Sequence, residues 1–127
     1  MKNDREIRLS WFDIRATVES GQCFRWRYLD DARYIGWIGK FSVEVEQKKD
    51  AVLVRCPEEL SSKEVRRYFD EGRDYSGILA EWRNSEDLGM IVNHWGGIRI
   101  LRQPLDEMII SFILSQNNNI PRIQTMI

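Results

Sequence analysis

The sequence predicts an α+β fold: an antiparallel β-sheet with helices, followed by the first helices of an all-helical unit. Three observations predict it. Short runs rich in aromatic and β-branched residues, several with strict polar–apolar alternation, fill the chain up to Pro57. After Pro57 the apolar spacing becomes helical and start signals appear. Near the end an almost wholly apolar helix opens at Pro104, and another begins beyond three consecutive asparagines.

Gln22 to Leu29 (QCFRWRYL) reads as the first strand, and Tyr34 to Ile38 (YIGWI) follows the turn at Asp30-Asp31. In Phe41 to Gln47, Phe41, Val43 and Val45 share one face, and Ser42, Glu44 and Glu46 the other. Ala51 to Cys56 (AVLVRC) follows the Lys48-Lys49-Asp50 turn. Four short strands with tight connections imply an antiparallel meander. Ser61-Ser62-Lys63-Glu64 fits a capping box, with Val65, Tyr68 and Phe69 as the buried stripe of a short helix. Tyr75 to Trp82 and Leu88 to Trp95 read as further helices, the second broken by Gly96-Gly97. Pro104 suits a first helical turn, Asp106 and Glu107 suit the positive end of its dipole, and Met108 to Leu114 is its apolar body. A helix apolar all round expects burial on every side. Ile120 to Ile127 starts one more amphipathic helix.

These elements divide the chain into an α+β domain over residues 1–96 and the start of a truncated helical domain over 97–127. With 127 residues, the chain is long enough for a core without metal or disulfide staples. Its 43% hydrophobic and 31% charged residues exclude a disordered chain, and no apolar run reaches the roughly 18 residues of a membrane span. Cys23 and Cys56 have neither metal nor disulfide spacing, which points to a reduced intracellular protein. The net charge of −1 does not suggest a dedicated nucleic-acid binder, although 14 of the 19 cations are Arg, the residue suited to bidentate contacts.

Two motifs carry alternative readings. Gly21-Gln22-Cys23-Phe24-Arg25-Trp26-Arg27 is either a strand start with Phe24 and Trp26 in the core, or part of a site. In Asn117-Asn118-Asn119 with Arg122, one Asn suffices as a helix cap. Three amides followed by an Arg also suit base edges and phosphates. His94, the only histidine, cannot build a metal site with distant cysteines, and no cofactor or metal is expected. Asp106-Glu107 reads as dipole partners rather than an acid pair. No complete catalytic set emerges from the residues alone.

Taken together, ESGQCFRWR (Glu19 to Arg27), NHWGGIRILRQ (Asn93 to Gln103) and SFILSQNNNIPRI (Ser111 to Ile123) resemble the N-terminal portion of 8-oxoguanine DNA glycosylases. The likeness spans nearly the whole chain, and the triple-Asn segment is its specific part. It implies an N-terminal domain like half of a TATA-binding protein, followed by a helical domain with a helix-hairpin-helix motif. It also implies a base-excision-repair enzyme that removes 8-oxoguanine paired with cytosine from duplex DNA and has AP lyase activity. Its location would be the nucleoid or cytoplasm of a prokaryote or the nucleus of a eukaryote, not a membrane or the outside of the cell.

Residue by residue, Gly21 matches the position whose backbone carbonyl inspects the lesion. Oxidation at C8 places a hydrogen on N7 where guanine has a lone pair, so a fixed carbonyl accepts from one and repels the other. Asn117 matches the residue that enters the space left by the flipped base, and Arg122 the one that helps hold the orphaned cytosine, with Asn118 and Asn119 beside them on the DNA. The family's catalytic Lys, which forms a Schiff base with the sugar, and its Asp lie further along. The last Lys here is Lys63, so no catalytic residue is expected in this chain, which reads as a fragment inactive by itself. Its uncovered apolar helix at 104–115 would then favour self-association.

Two rivals remain at this stage. A non-catalytic DNA-binding or protein-interaction module would show only salt-dependent affinity for plain duplex, or none. An alkylated-base glycosylase would carry glutamines and small residues in place of Asn117-Asn118-Asn119.

Overall fold

The computed structural model describes residues 2–95, 97–116 and 119–126. Its sheet has five antiparallel strands in the order β1-β5-β4-β3-β2. The strands are β1 (Lys2–Arg8), β2 (Arg27–Asp30), β3 (Arg33–Ile38), β4 (Phe41–Gln47) and β5 (Ala51–Pro57). β2 to β5 form the expected meander. β1 was not anticipated: its KNDREIR stretch has one large apolar residue, Ile7, too few to mark a strand. Backbone pairing with β5 from Lys2↔Pro57 to Arg8↔Ala51 makes it one.

Alternation does the work inside the sheet. Tyr34, Gly36 and Ile38 of β3 point inward, while Ile35 and Trp37 face out. Val43 and Val45 of β4 meet Val52, Val54 and Cys56 of β5 in the core. Each such valine, removed from water, stabilises the fold by about 1.5–3 kcal/mol.

The core face is covered by α1 (Ile14–Val18) and α2 (Ser62–Tyr68). The capping box forms as expected: Ser61 Oγ accepts from Glu64 N and the Glu64 carboxylate accepts from Ser61 N. Val65, Tyr68 and Phe69 are all buried; Tyr68 and Phe69 pack on Trp26, and Phe69 also meets Phe12. The short α1 was also missed; Asp13 caps it by accepting from Ala16 N. Next come α3 (Tyr75–Arg83) and α4 (Glu86–Trp95), which pack on each other.

Two expectations need correction, and a third gains a partner. Gln22 to Trp26 is not strand: the ladder begins at Arg27, because the preceding residues spend their hydrogen bonds on other segments. Pro104 is not in the first helical turn of α5 (Leu105–Ser115) but caps it in an extended conformation. Glu107 does more than complement the dipole, since it pairs with Arg25. α6 (Ile120–Met126) closes the described chain. As expected, α5 carries exposed apolar residues: Ile109 is 50% and Phe112 66% exposed.

Candidate functional site

Gly21 lies on the loop between α1 and β2, with φ +89°. Nothing stands within 4 Å of where a Cβ would be, so it is the left-handed backbone rather than crowding that favours glycine here. Its neighbour Gln22 fixes the loop. The Gln22 amide donates to the carbonyls of Arg99 (2.6 Å) and Thr17 (3.2 Å), and its Oε1 accepts from Leu101 N at 2.9 Å. Gln103 Nε2 donates back to the Gln22 carbonyl at 2.6 Å. The sequence marked Gln22 only as part of a motif; its role emerges when residues 99–103 fold beside it.

That second segment is itself anchored. Gly97, at φ +98°, accepts from Asp13 N (2.9 Å) and from Thr17 Oγ1 (3.1 Å). Arg99 is buried, donates to the carbonyls of Asp70 (2.8 Å) and Ser10 (2.6 Å), and stacks 4.3 Å from the Tyr75 ring. Burial pulls its pKa down from the usual guanidinium value. The Asp70 carboxylate accepts from Tyr75 Oη, Arg73 Nε and Arg102 Nε at 2.7, 2.7 and 3.0 Å. Burial pushes that carboxyl up, but the three donors outweigh it and hold it below the ordinary aspartate range. Residue types gave no warning of Arg99 or Asp70; a lone Arg between Ile98 and Ile100 was the available sign.

Gly21, Gln22 and Phe24 face Met108, Ser111, Phe112 and Ser115 of α5 across a hollow of about 160 Å³. Phe24, Met108 and Phe112 give it apolar walls, and Gln22, Ser111 and Ser115 add polar side chains beside the Gly21 loop. Phe24 and Trp26 are indeed buried, so the motif serves the core and the hollow together. Cys23 is buried as well, and burial pushes its thiol up to about 12.

α5 leads into the asparagine run. Asn117 and Asn118 lie outside the described residues, as does the His94 side chain. Asn119 is the cap left open as an alternative: its Oδ1 accepts from Arg122 N and its carbonyl from Ile123 N, both at 3.0 Å. Arg122 is exposed, and its guanidinium has no hydrogen-bond or ion-pair partner among the described residues. Ile123 is buried and seats α6. Elsewhere, Lys63, Arg66, Arg67, Arg73 and Arg102 line a hollow of about 590 Å³ that includes neither Gly21 nor Arg122.

The family model described as 8-oxoguanine DNA glycosylase, N-terminal domain, matches residues 6–109. The chain belongs to that family. It is 35% identical over 135 residues to N-glycosylase/DNA lyase OGG1 of Arabidopsis thaliana, covering 92% of this chain and 36% of that protein. Among solved structures it resembles MBOgg1 in complex with a low-affinity DNA ligand (34% identity, TM-score 0.87), with 98% of this chain and 46% of that one covered. It likewise resembles Clostridium acetobutylicum 8-oxoguanine glycosylase/lyase in a complex with double-stranded DNA containing cytosine opposite 8-oxoG (35% identity, TM-score 0.87). There the match covers 98% of this chain and 45% of that one. The chain thus spans about a third of the curated relative and under half of these solved chains. The five-stranded antiparallel sheet with its helices is the N-terminal architecture of this glycosylase family. No helix among the described residues is long and apolar enough to cross a membrane.

Proposed function

We propose that this chain is the N-terminal part of a base-excision-repair glycosylase that recognises 8-oxoguanine opposite cytosine in duplex DNA and removes it, with associated AP lyase activity. The observation that carries the proposal is the placement of Gly21. A left-handed glycine, on a loop fixed by Gln22, borders an apolar-walled hollow against α5, and α5 runs directly into Asn117-Asn118-Asn119 and Arg122. A backbone carbonyl on that loop discriminates by proton placement: it accepts from N7–H of the oxidised base and opposes the N7 lone pair of guanine. Asn117 and Arg122 hold the orphaned cytosine, with Asn118 and Asn119 contributing to the DNA contact. The amine and the carboxylate of the reaction come from outside these residues, and the protein acts where the DNA is, in the nucleoid or nucleus.

We also propose that residues 97–127 begin a second, helical domain. Residues 97–103 already pack on the first one, with Leu101 in its core, and α5 and α6 are the helices that the remainder covers. Without that cover, a polypeptide of these residues alone self-associates through Ile109, Ile110, Phe112 and Ile113.

The test uses the full-length protein and Arg122→Ala. If Arg122 holds cytosine, affinity for lesion·C duplex falls by about 1–3 kcal/mol, the worth of a good base contact. Lesion·A binding changes much less and the salt slope stays. Equal loss on both duplexes, with the slope falling by about one unit, would make Arg122 a phosphate contact instead.

A further inference from the structure

The Phe24-Arg25-Trp26-Arg27 stretch alternates buried rings with arginines, and each arginine grips a different helix. Arg25 Nη1 lies 3.3 Å from the Glu107 carboxylate in the first turn of α5, the two side chains 27% and 16% exposed. The Arg25 guanidinium also stacks 4.9 Å from the Trp37 ring of β3. Burial pushes the Glu107 carboxyl up while Arg25 pulls it down. Arg27 donates from Nη1 to the Phe24 carbonyl at 3.2 Å and from Nη2 to the Gln124 carbonyl at 2.8 Å.

Gln124 is in the last turn of α6, so that bond fills a carbonyl which a helix end leaves open and sets a cation at the negative end of its dipole. α5 ends at Ser115 and α6 starts at Ile120. Arg25 therefore holds the helix before the asparagine run, and Arg27 the helix after it. Gln124 is two residues from Arg122, and Phe24 three from Gly21. A planar guanidinium bridging two carbonyls fixes their separation in a way that a flexible ammonium cannot.

We propose that Arg27, with Arg25 as the second anchor, is a positioning residue that couples the Gly21 loop to the helix bearing Arg122, making lesion reading depend on the opposite base. This rests on the roles assigned above to Gly21 and Arg122. A base that seats Arg122 well sets α6, and Arg27 passes that setting to the Phe24 carbonyl and hence to the loop.

The experiment measures single-turnover excision by the full-length protein for 8-oxoguanine opposite cytosine and opposite adenine, with duplex binding alongside. Arg27→Ala should reduce the C-to-A rate ratio by roughly tenfold, within the usual range of coupling between sites, while the lesion·A rate moves little. Arg27→Lys keeps the charge but not the bridge, and should lose the ratio while preserving duplex affinity and melting temperature. Combined with Arg122→Ala, Arg27→Ala should cost nothing further in the ratio. Equal losses on both duplexes, or additive losses in the double variant, would overturn the coupling while leaving the Arg122 assignment intact. An Arg122→Ala protein with an unchanged ratio would overturn that assignment and the coupling with it. Should Arg27→Ala fail to fold, Arg27→Lys decides: an unchanged ratio refutes the proposal.

Discussion

Gly36→Ala puts the packing of Trp26 against the sheet to a direct test. A Cβ at this position in β3 would stand 2.3–2.8 Å from three ring atoms of Trp26, where carbon–carbon contacts settle at about 3.5–4.0 Å. The ring would have to move by more than about 1 Å. It has little room, being 3% exposed, hydrogen-bonded through Nε1 to Tyr68 Oη at 3.0 Å and packed against Phe69. Strain of this kind costs about 1–3 kcal/mol if the indole stays. If it is expelled, the loss of some 200 Å² of burial at about 25 cal/mol/Å² costs about 5 kcal/mol. The cheaper response sets the loss, so the variant should lose about 1–3 kcal/mol in urea unfolding, a large part of a normal domain's stability. Trp26→Leu removes the clashing ring atoms, so Gly36→Ala should cost much less in that background. Stability within about 0.5 kcal/mol of the parent, or the same cost in both backgrounds, would refute the reasoning.

The remaining predictions concern charge, thiols and the reaction. Because the Asp70 carboxyl is held low, its contribution is complete above the unfolded aspartate value near pH 4 and fades as pH falls through the lowered folded one. Asp70→Asn should lower neutral stability and flatten that acid limb; an unchanged limb would contradict it. Cys23, pushed up to about 12 and buried, should react with a thiol reagent at pH 8 only as the protein unfolds, as mass spectrometry with and without urea would reveal. A polypeptide of these 127 residues, having no Lys after Lys63, should give no borohydride-trapped adduct with lesion DNA. In sedimentation it should self-associate, and Ile109→Lys with Ile113→Lys should return it to a monomer.

Legibility in the sequence followed the range of the interaction. The Phe41–Gln47 alternation of β4, the Ser61–Glu64 capping box and the apolar body of α5 each depend on residues a few positions apart, and each formed as read. β1 was invisible because Lys2–Arg8 becomes a strand only by pairing with β5, some fifty residues away. Gln22 to Trp26 was misread as strand because its aromatics suit a sheet, while the bonds that bend it away come from residues 99–103. The same division holds in the candidate site. Gly21 and Arg122 stand in recognisable motifs, whereas the Gln22 clamp, the Asp70–Arg99–Arg102 cluster and the Arg25–Glu107 pair join segments at least 29 positions apart.

The measurement closest to the central claim is base release by the full-length protein from duplexes with 8-oxoguanine·cytosine or guanine·cytosine at one position. Release of the oxidised base is expected from the first only, with a borohydride-trapped covalent adduct on the same duplex. Equal action on both, or action on neither while the protein is folded and binds DNA, would contradict it.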